Sequence, residues 1–146
     1  MGLGIPQQTL IEALDRLRAC RSDEERWTCG VALLHDCGSQ WITVGTAPRT
    51  RLTDVAVRST TPAGLMQHYL SERYDRDDPS MHICSDGAAV DMLDIGALSA
   101  PWPAQKQRMA RLFADFGGRR AVLVPCYDGL RTGGIVLHYR NAASDH

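Results

Sequence analysis

The chain has 146 residues, the length of one ordinary domain. Apolar residues make up 44% and charged residues 23%, a composition typical of a globular domain with its own core. The net charge of −1 excludes a strongly basic nucleic-acid binder. No stretch is long and apolar enough to span a membrane, and the first residues lack the pattern of a secretion signal, so we expect a cytoplasmic protein.

The five cysteines are spread along the chain, and none forms a Cys-x-x-Cys pair. This pattern predicts reduced thiols and no metal site. The cysteines are Cys20, Cys29, Cys37, Cys84 and Cys126.

Two amphipathic helices are predicted at the start of the chain. The segment "PQQTLIEALDRLRACR" has leucines at helical spacing. Ser22 and Glu25 have the spacing of a capping box, which predicts the start of a second helix, and Gly38 predicts its end.

Two strands and a helix are predicted next. "QWITVGT" and "VAVRST" are rich in β-branched residues. Thr61 followed by Pro62 predicts a helix start with a capping hydroxyl. We expect Tyr74, near the charged end of this helix, to be half-exposed. The predicted buried face of the helix consists of Leu65, Met66, Tyr69 and Leu70.

Asp78-Pro79 predicts the start of a short helix, and "GAAVDML" indicates a third strand. The segment "AQKQRMARLFADF" has apolar residues on one stripe and predicts a helix that ends at Gly117-Gly118. "AVLVPCY" and "GIVLHY" then predict a hairpin over residues 120–140, with Pro125 at a sheet edge or bulge. The buried stripe of the helix consists of Met109, Leu112, Phe113 and Phe116.

This order of elements predicts an α+β fold: an α-β-α sandwich with a mainly antiparallel sheet of about five strands, as in GAF and PAS domains. Such layers commonly hold a small ligand between the sheet and the helices.

No sequence motif indicates an enzyme. The chain has no Gly-x-Gly-x-x-Gly, P-loop, His-Glu-x-x-His or Gly-x-Ser-x-Gly motif, and its histidines lack metal-ligand spacing. Cys126 and His138 could face each other across the predicted hairpin as a Cys–His pair, but no third group is indicated. We therefore expect no catalytic residues, no cofactor and no metal.

Asp78 and Tyr69 each have two interpretations. Asp78 could cap the helix that begins at Pro79, or its carboxylate could accept an N–H from a ligand amide. The ring of Tyr69 could simply belong to the core, or it could line a cavity with its hydroxyl at the polar end.

In their order and spacing, "HYLSERYDRDDP" and "ARLFADFGGRRAVLVPCYDGLRTGGIVL" resemble the autoinducer-binding domain of LuxR-type quorum-sensing regulators. The resemblance covers roughly residues 7–140. It implies an N-acyl-homoserine lactone pocket between the sheet and a helical layer. Asp78 would accept the ligand amide N–H, and Tyr69 would line the pocket.

Several pocket positions depart from the family pattern. Thr61 stands where the family has a tyrosine that donates to the acyl carbonyl, and Leu65 stands where a tryptophan donates to the lactone carbonyl. The family's second tryptophan corresponds to the region of Met92, and its polar residue on the last strand to that of Leu137. With Ser80, these residues complete the predicted ligand site, which we expect to bind simple lactones weakly.

We predict one domain over residues 1–146 that lacks the family's helix-turn-helix, so we expect no direct contact with nucleic acid. We expect a small-molecule-sensing domain of a LuxR-type regulator, as a homodimer or a heterodimer with a LuxR-type partner. Two alternatives remain open. One is a ligand-free interaction module that modulates a full-length LuxR-type partner by heterodimerisation. The other is a GAF- or PAS-like sensor of another metabolite.

Overall fold

The computed structural model describes residues 7–51, 54–76, 78, 89–94 and 103–140. It divides into two compact units, Met1–Gly38 and Ser39–His146. The short helix predicted after Asp78 lies outside the described residues.

The first unit contains helix α1, Gln7–Ala19, and helix α2, Asp23–Asp36. The predicted capping box at the start of α2 is confirmed in its main contact. The hydroxyl of Ser22 accepts a hydrogen bond of 3.1 Å from the backbone N–H of Glu25, which satisfies one of the free donors of the first turn. The carboxylate of Glu25 reaches back to the backbone N–H of Arg21 at 2.7 Å.

The second unit is built on a five-stranded antiparallel sheet with the order β2-β1-β5-β4-β3. The hairpin predicted over residues 120–140 forms β4 and β5, which lie inside the sheet, so this prediction is confirmed. The strands are β1, Trp41–Pro48; β2, Ala56–Ser59; β3, Asp91–Asp94; β4, Arg120–Tyr127; and β5, Arg131–Tyr139.

Pro125 lies where β4 has a partner on one side only. It pairs with Gly134 of β5, whereas the ladder between β3 and β4 ends at the pair Asp91 and Leu123. Because proline has no N–H to donate, it is tolerated at such a local edge. The predicted edge position is therefore confirmed.

Helix α3, Ala63–Ser71, a short 3₁₀ turn, Tyr74–Arg76, and helix α4, Ala104–Asp115, complete the second unit. Two glycines end α4 for different reasons. Gly117 has φ +93°, the left-handed conformation that glycine adopts most readily. The N–H of Gly118 bonds to the carbonyl of Phe113 at 2.9 Å, as in a Schellman motif. A Cβ at Gly118 would overlap the indole ring of Trp41.

A mostly aromatic core covers one face of the sheet. Leu65 of α3 is fully buried in it, with a relative exposure of 0%. Burial of such side chains is the main source of stability for a domain of this size. The core cluster consists of Trp41, Leu65, Tyr69, Tyr74, Met109, Leu112 and Phe113.

Three predictions about burial were wrong. Tyr74 is buried, with only 3% of its surface exposed, because the 3₁₀ turn after α3 directs its ring toward Tyr69. Leu70 lies on the outer side of α3 and is 53% exposed, and Phe116, at the end of α4, is 39% exposed.

The proposed pair of Cys126 and His138 does not form. His138 pairs with Ala121, whereas Cys126 pairs with Gly133. Cys126 is therefore five residues further along β4, about 17 Å away at the usual rise of a strand. Its side chain also belongs to the opposite face of the sheet, since residues an odd number apart on a strand alternate between faces.

Candidate ligand-binding site

Three hydroxyl groups come together on the sheet beside the start of α3. Thr43 Oγ1 lies 2.7 Å from Ser59 Oγ, and Ser59 donates to Thr61 Oγ1 at 2.8 Å. The third side of the triangle, from Thr61 to Thr43, is longer at 3.4 Å. The predicted role of Thr61 as a helix cap was wrong, because Pro62 occupies the cap position and no side chain caps the helix.

In this hydroxyl triangle, the hydroxyl hydrogen of Thr61 has the weakest acceptor of the three. Ser59 donates to Thr61 and also accepts from the backbone N–H of Thr61 at 3.1 Å. Within the triangle, the acceptor open to the Thr61 hydroxyl hydrogen is Thr43, at a distance where hydrogen bonds are weak. Thr61 can therefore turn its donor toward a ligand at small cost.

Tyr69 and Asp78 form the most direct polar contact of the site. The hydroxyl of Tyr69 donates to Asp78 Oδ2 at 2.6 Å. Burial, together with the negative charge of Asp78, raises the pKa of Tyr69 far above its usual value. Tyr69 therefore keeps its proton and orients the half-buried carboxylate.

A series of ring contacts leads from this pair into the sheet. The rings of Tyr69 and Phe113 meet edge to face, with centroids 5.9 Å apart. Phe113 stacks on His138 at 5.1 Å, and His138 in turn contacts Trp41 at 5.6 Å. Such ring contacts add to the area burial of each side chain, so the site has rigid, mainly apolar walls.

His138 is the one strongly perturbed base of this series. It is buried, with 7% of its surface exposed. Burial lowers the pKa of His138 to about 4, against a smaller opposing effect of the Asp78 carboxylate. The imidazole is therefore neutral near pH 7. Its Nδ1 atom has no hydrogen-bond partner among the described residues.

The structure brings together only part of the predicted site. Tyr69, Asp78 and Leu65 lie on or beside the aromatic core, and Thr61 lies at the hydroxyl triangle. Ser80 lies outside the described residues.

Leu137 and Met92 do not lie with the rest of the site. Both pair with Val122, one from each side, so their side chains lie on the face opposite His138. Met92 is also 69% exposed. On the last strand, His138 is the residue that faces the aromatic core, and it replaces Leu137 in the candidate site. The alternation of side chains along β5 indicates that every second residue faces the core. The pairing of β5 with its neighbouring strands decides which set of alternate residues that is.

Removing the hydroxyl of Tyr69 tests its role in holding Asp78. We expect Tyr69→Phe to lower the free energy of unfolding by about 1–2 kcal/mol, because a part-buried hydrogen bond to a carboxylate is lost while the ring remains. Chemical denaturation measures the change. Tyr127→Phe, at a ring that is 57% exposed, is the matched control and should leave stability almost unchanged. Equal stability of Tyr69→Phe and the wild type would contradict this contact.

Sequence comparison assigns the family. The profile of the autoinducer-binding domain matches residues 22–144. The chain therefore belongs to the autoinducer-binding domain family of LuxR-type regulators, a family of quorum-sensing, ligand-binding domains rather than enzymes. No match was found among curated proteins.

Solved structures support the fold. The N-acylhomoserine lactone-dependent LuxR-family transcription factor CepR2 from Burkholderia cenocepacia is similar with a TM-score of 0.73 and 18% identity, over 90% of this chain and 76% of that chain. Escherichia coli SdiA is similar with a TM-score of 0.73 and 14% identity, over 90% of this chain and 55% of that chain. SdiA in complex with octanoyl-rac-glycerol is similar with a TM-score of 0.69 and 14% identity, over 94% of this chain and 55% of that chain. The predicted α-β-α sandwich class is thereby confirmed.

The described part of the chain has neither a membrane-spanning helix nor a cluster of metal ligands. None of its helices is both long and apolar enough to cross a membrane. No group of three or more His, Cys, Asp or Glu side chains within it is placed to hold a metal ion.

Proposed function

We propose that this chain is the small-molecule-sensing domain of a LuxR-type transcriptional regulator and that its pocket is altered at the lactone end. The contact between Tyr69 and Asp78 carries this proposal. It holds a half-buried carboxylate beside the aromatic core, where a ligand N–H or O–H can reach it. The ligand would lie in the same region, between the sheet and the helices α3 and α4.

The altered lactone end is argued from Leu65. This side chain is fully buried and has no donor for a ligand carbonyl. Leaving a buried carbonyl without a donor costs about 1–3 kcal/mol, roughly tenfold to hundredfold in affinity. We therefore propose weak binding of simple N-acyl-homoserine lactones.

A neutral acyl compound with hydroxyl groups suits the described residues better. Asp78 accepts from an O–H as readily as from an amide N–H, and Thr61 offers a donor for an acyl carbonyl. The SdiA structure contains octanoyl-rac-glycerol, which has an ester carbonyl and two hydroxyls but no lactone ring. We take this compound as the representative probe of the proposed ligand class.

The second candidate is a ligand-free module that pairs with a full-length LuxR-type partner in the cytoplasm and modulates it. The ring contacts from Tyr69 through Phe113 to His138 favour it, because side chains then occupy space that a ligand would need. Under this alternative no probe raises the melting temperature. Mixing the chain with a LuxR-type regulator would instead convert the regulator's homodimer into a heterodimer.

Replacing Asp78 tests the sensing function. We expect Asp78→Asn to weaken the binding of octanoyl-rac-glycerol by about 1–3 kcal/mol, because a charge-assisted acceptor becomes a neutral amide. Titration calorimetry measures the affinity and thermal unfolding the stability. Asp15→Asn, at a carboxylate that is 68% exposed on α1, is the control. Unchanged affinity in Asp78→Asn would remove the residue-level support for a sensor.

A further inference from the structure

His138 carries a buried polar atom that the described residues leave without a hydrogen-bond partner. Its Nδ1 is buried and unpaired among the described residues. An unpaired buried nitrogen costs about 1–3 kcal/mol, and native proteins rarely keep one without a reason. The proposed sensing function does not yet account for this atom.

The surroundings of His138 restrict what can pair with it. One face of the imidazole stacks on Phe113, with an angle of 13° between the rings, and Trp41 lies beside it at 51°. Both neighbours are apolar at the point of contact, so a partner for Nδ1 has to approach in the plane of the imidazole ring. Among the described residues, the carboxylate of Asp78, which also accepts a hydrogen bond from the hydroxyl of Tyr69, is an electrostatic neighbour of this imidazole.

We propose that His138 is a specificity-determining residue of the ligand site and that its Nδ1 forms a hydrogen bond with an uncharged polar group of the ligand. This inference rests on the sensing function proposed above. A donor of the same ligand is held by Asp78, so the two residues together select molecules with two neutral polar groups. A carboxylate is disfavoured at this position, because the negative charge of Asp78 acts on the same space.

Two substitutions of nearly equal shape isolate the role of Nδ1. Asparagine places a polar atom close to the position of Nδ1, whereas leucine has the same branching and no polar atom. We expect His138→Leu to weaken the binding of octanoyl-rac-glycerol at least about tenfold, and His138→Asn to weaken its binding less than about threefold. Both affinities are measured by calorimetry at pH 7.5. Octanoate should bind the wild type at least about tenfold more weakly than octanoyl-rac-glycerol.

The controls separate binding from folding. Circular dichroism and thermal unfolding of each ligand-free variant show whether it is folded, and His138→Phe replaces His138→Leu if the leucine variant is not. His35→Leu, at an exposed imidazole in the last turn of α2, should bind like the wild type.

Each outcome decides the inference. Equal affinity of the wild type and His138→Leu overturns it, as does an equal loss in the leucine and asparagine variants, which would indicate a purely structural role. Binding of octanoate as tight as that of octanoyl-rac-glycerol overturns the selection against charge. If the wild type binds neither octanoyl-rac-glycerol nor N-octanoyl-homoserine lactone, the sensing function fails and this inference fails with it.

Discussion

Gly133→Ala is expected to lower the free energy of unfolding by about 3 kcal/mol or more. A Cβ at this position of β5 would overlap the backbone carbonyl oxygen of Gly45 and would lie 2.9 Å from the Cα of Thr46. Backbone atoms cannot rotate away as a side chain can, so the strands must separate, and the cost falls at the upper end of the range for overpacking. The same ladder places Trp41 opposite His138, so the ligand site should be distorted as well.

The hairpin turn offers the control for this substitution. Gly129 has no atom within 4 Å of an added Cβ and no positive φ, so Gly129→Ala should change the free energy of unfolding by less than about 0.5 kcal/mol. Urea denaturation of both variants makes the comparison. Equal stability of Gly133→Ala and Gly129→Ala would show that β1 and β5 are not paired in this register.

Acid is expected to destabilise the protein by about 3 kcal/mol through His138 alone. Burial lowers the pKa of His138 from its ordinary value of 6.5 to about 4 in the folded protein. Between these values the unfolded chain binds a proton and the folded chain does not. The contribution is therefore fully present above pH 6.5 and is lost as the pH falls toward 4, at about 1.4 kcal/mol for each pH unit.

This effect is measured as the difference between two proteins at each pH, since carboxylates titrate near the lower end of the same range. Urea denaturation of the wild type and of His138→Leu at intervals from pH 7 to pH 4 gives the difference in free energy of unfolding. We expect the wild type to lose about 3 kcal/mol of free energy of unfolding relative to the variant as the pH falls. A constant difference between the wild type and His138→Leu would mean that His138 is accessible to protons in the folded state.

The regular elements could be predicted because their signals are local. The spacing of Ser22 and Glu25, the glycine pair after α4 and the two apolar runs of the hairpin all act within a few residues. Their physical basis, the satisfaction of helix ends and the twist of a hairpin, needs no knowledge of the rest of the chain.

The candidate site was only partly predictable, because it depends on contacts between distant residues. Asp78 and Tyr69 were identified as pocket residues through the resemblance to LuxR-type regulators, and the structure joins them in one hydrogen bond. His138 was not identified as a site residue, since the pairing of β5 with β1 and β4 decides which side of the strand faces α4. Tyr74 was expected to be half-exposed, but it is buried because the turn after α3 directs its ring into the core.

The most direct test of the altered pocket compares two ligands with the same acyl chain. Octanoyl-rac-glycerol and N-octanoyl-homoserine lactone are titrated into the wild-type protein by calorimetry at the same pH and temperature. With Leu65 in place of a donor to the lactone carbonyl, we predict that octanoyl-rac-glycerol binds at least about tenfold more tightly than the lactone. Sub-micromolar binding of the lactone, at or above the affinity of octanoyl-rac-glycerol, would contradict this account.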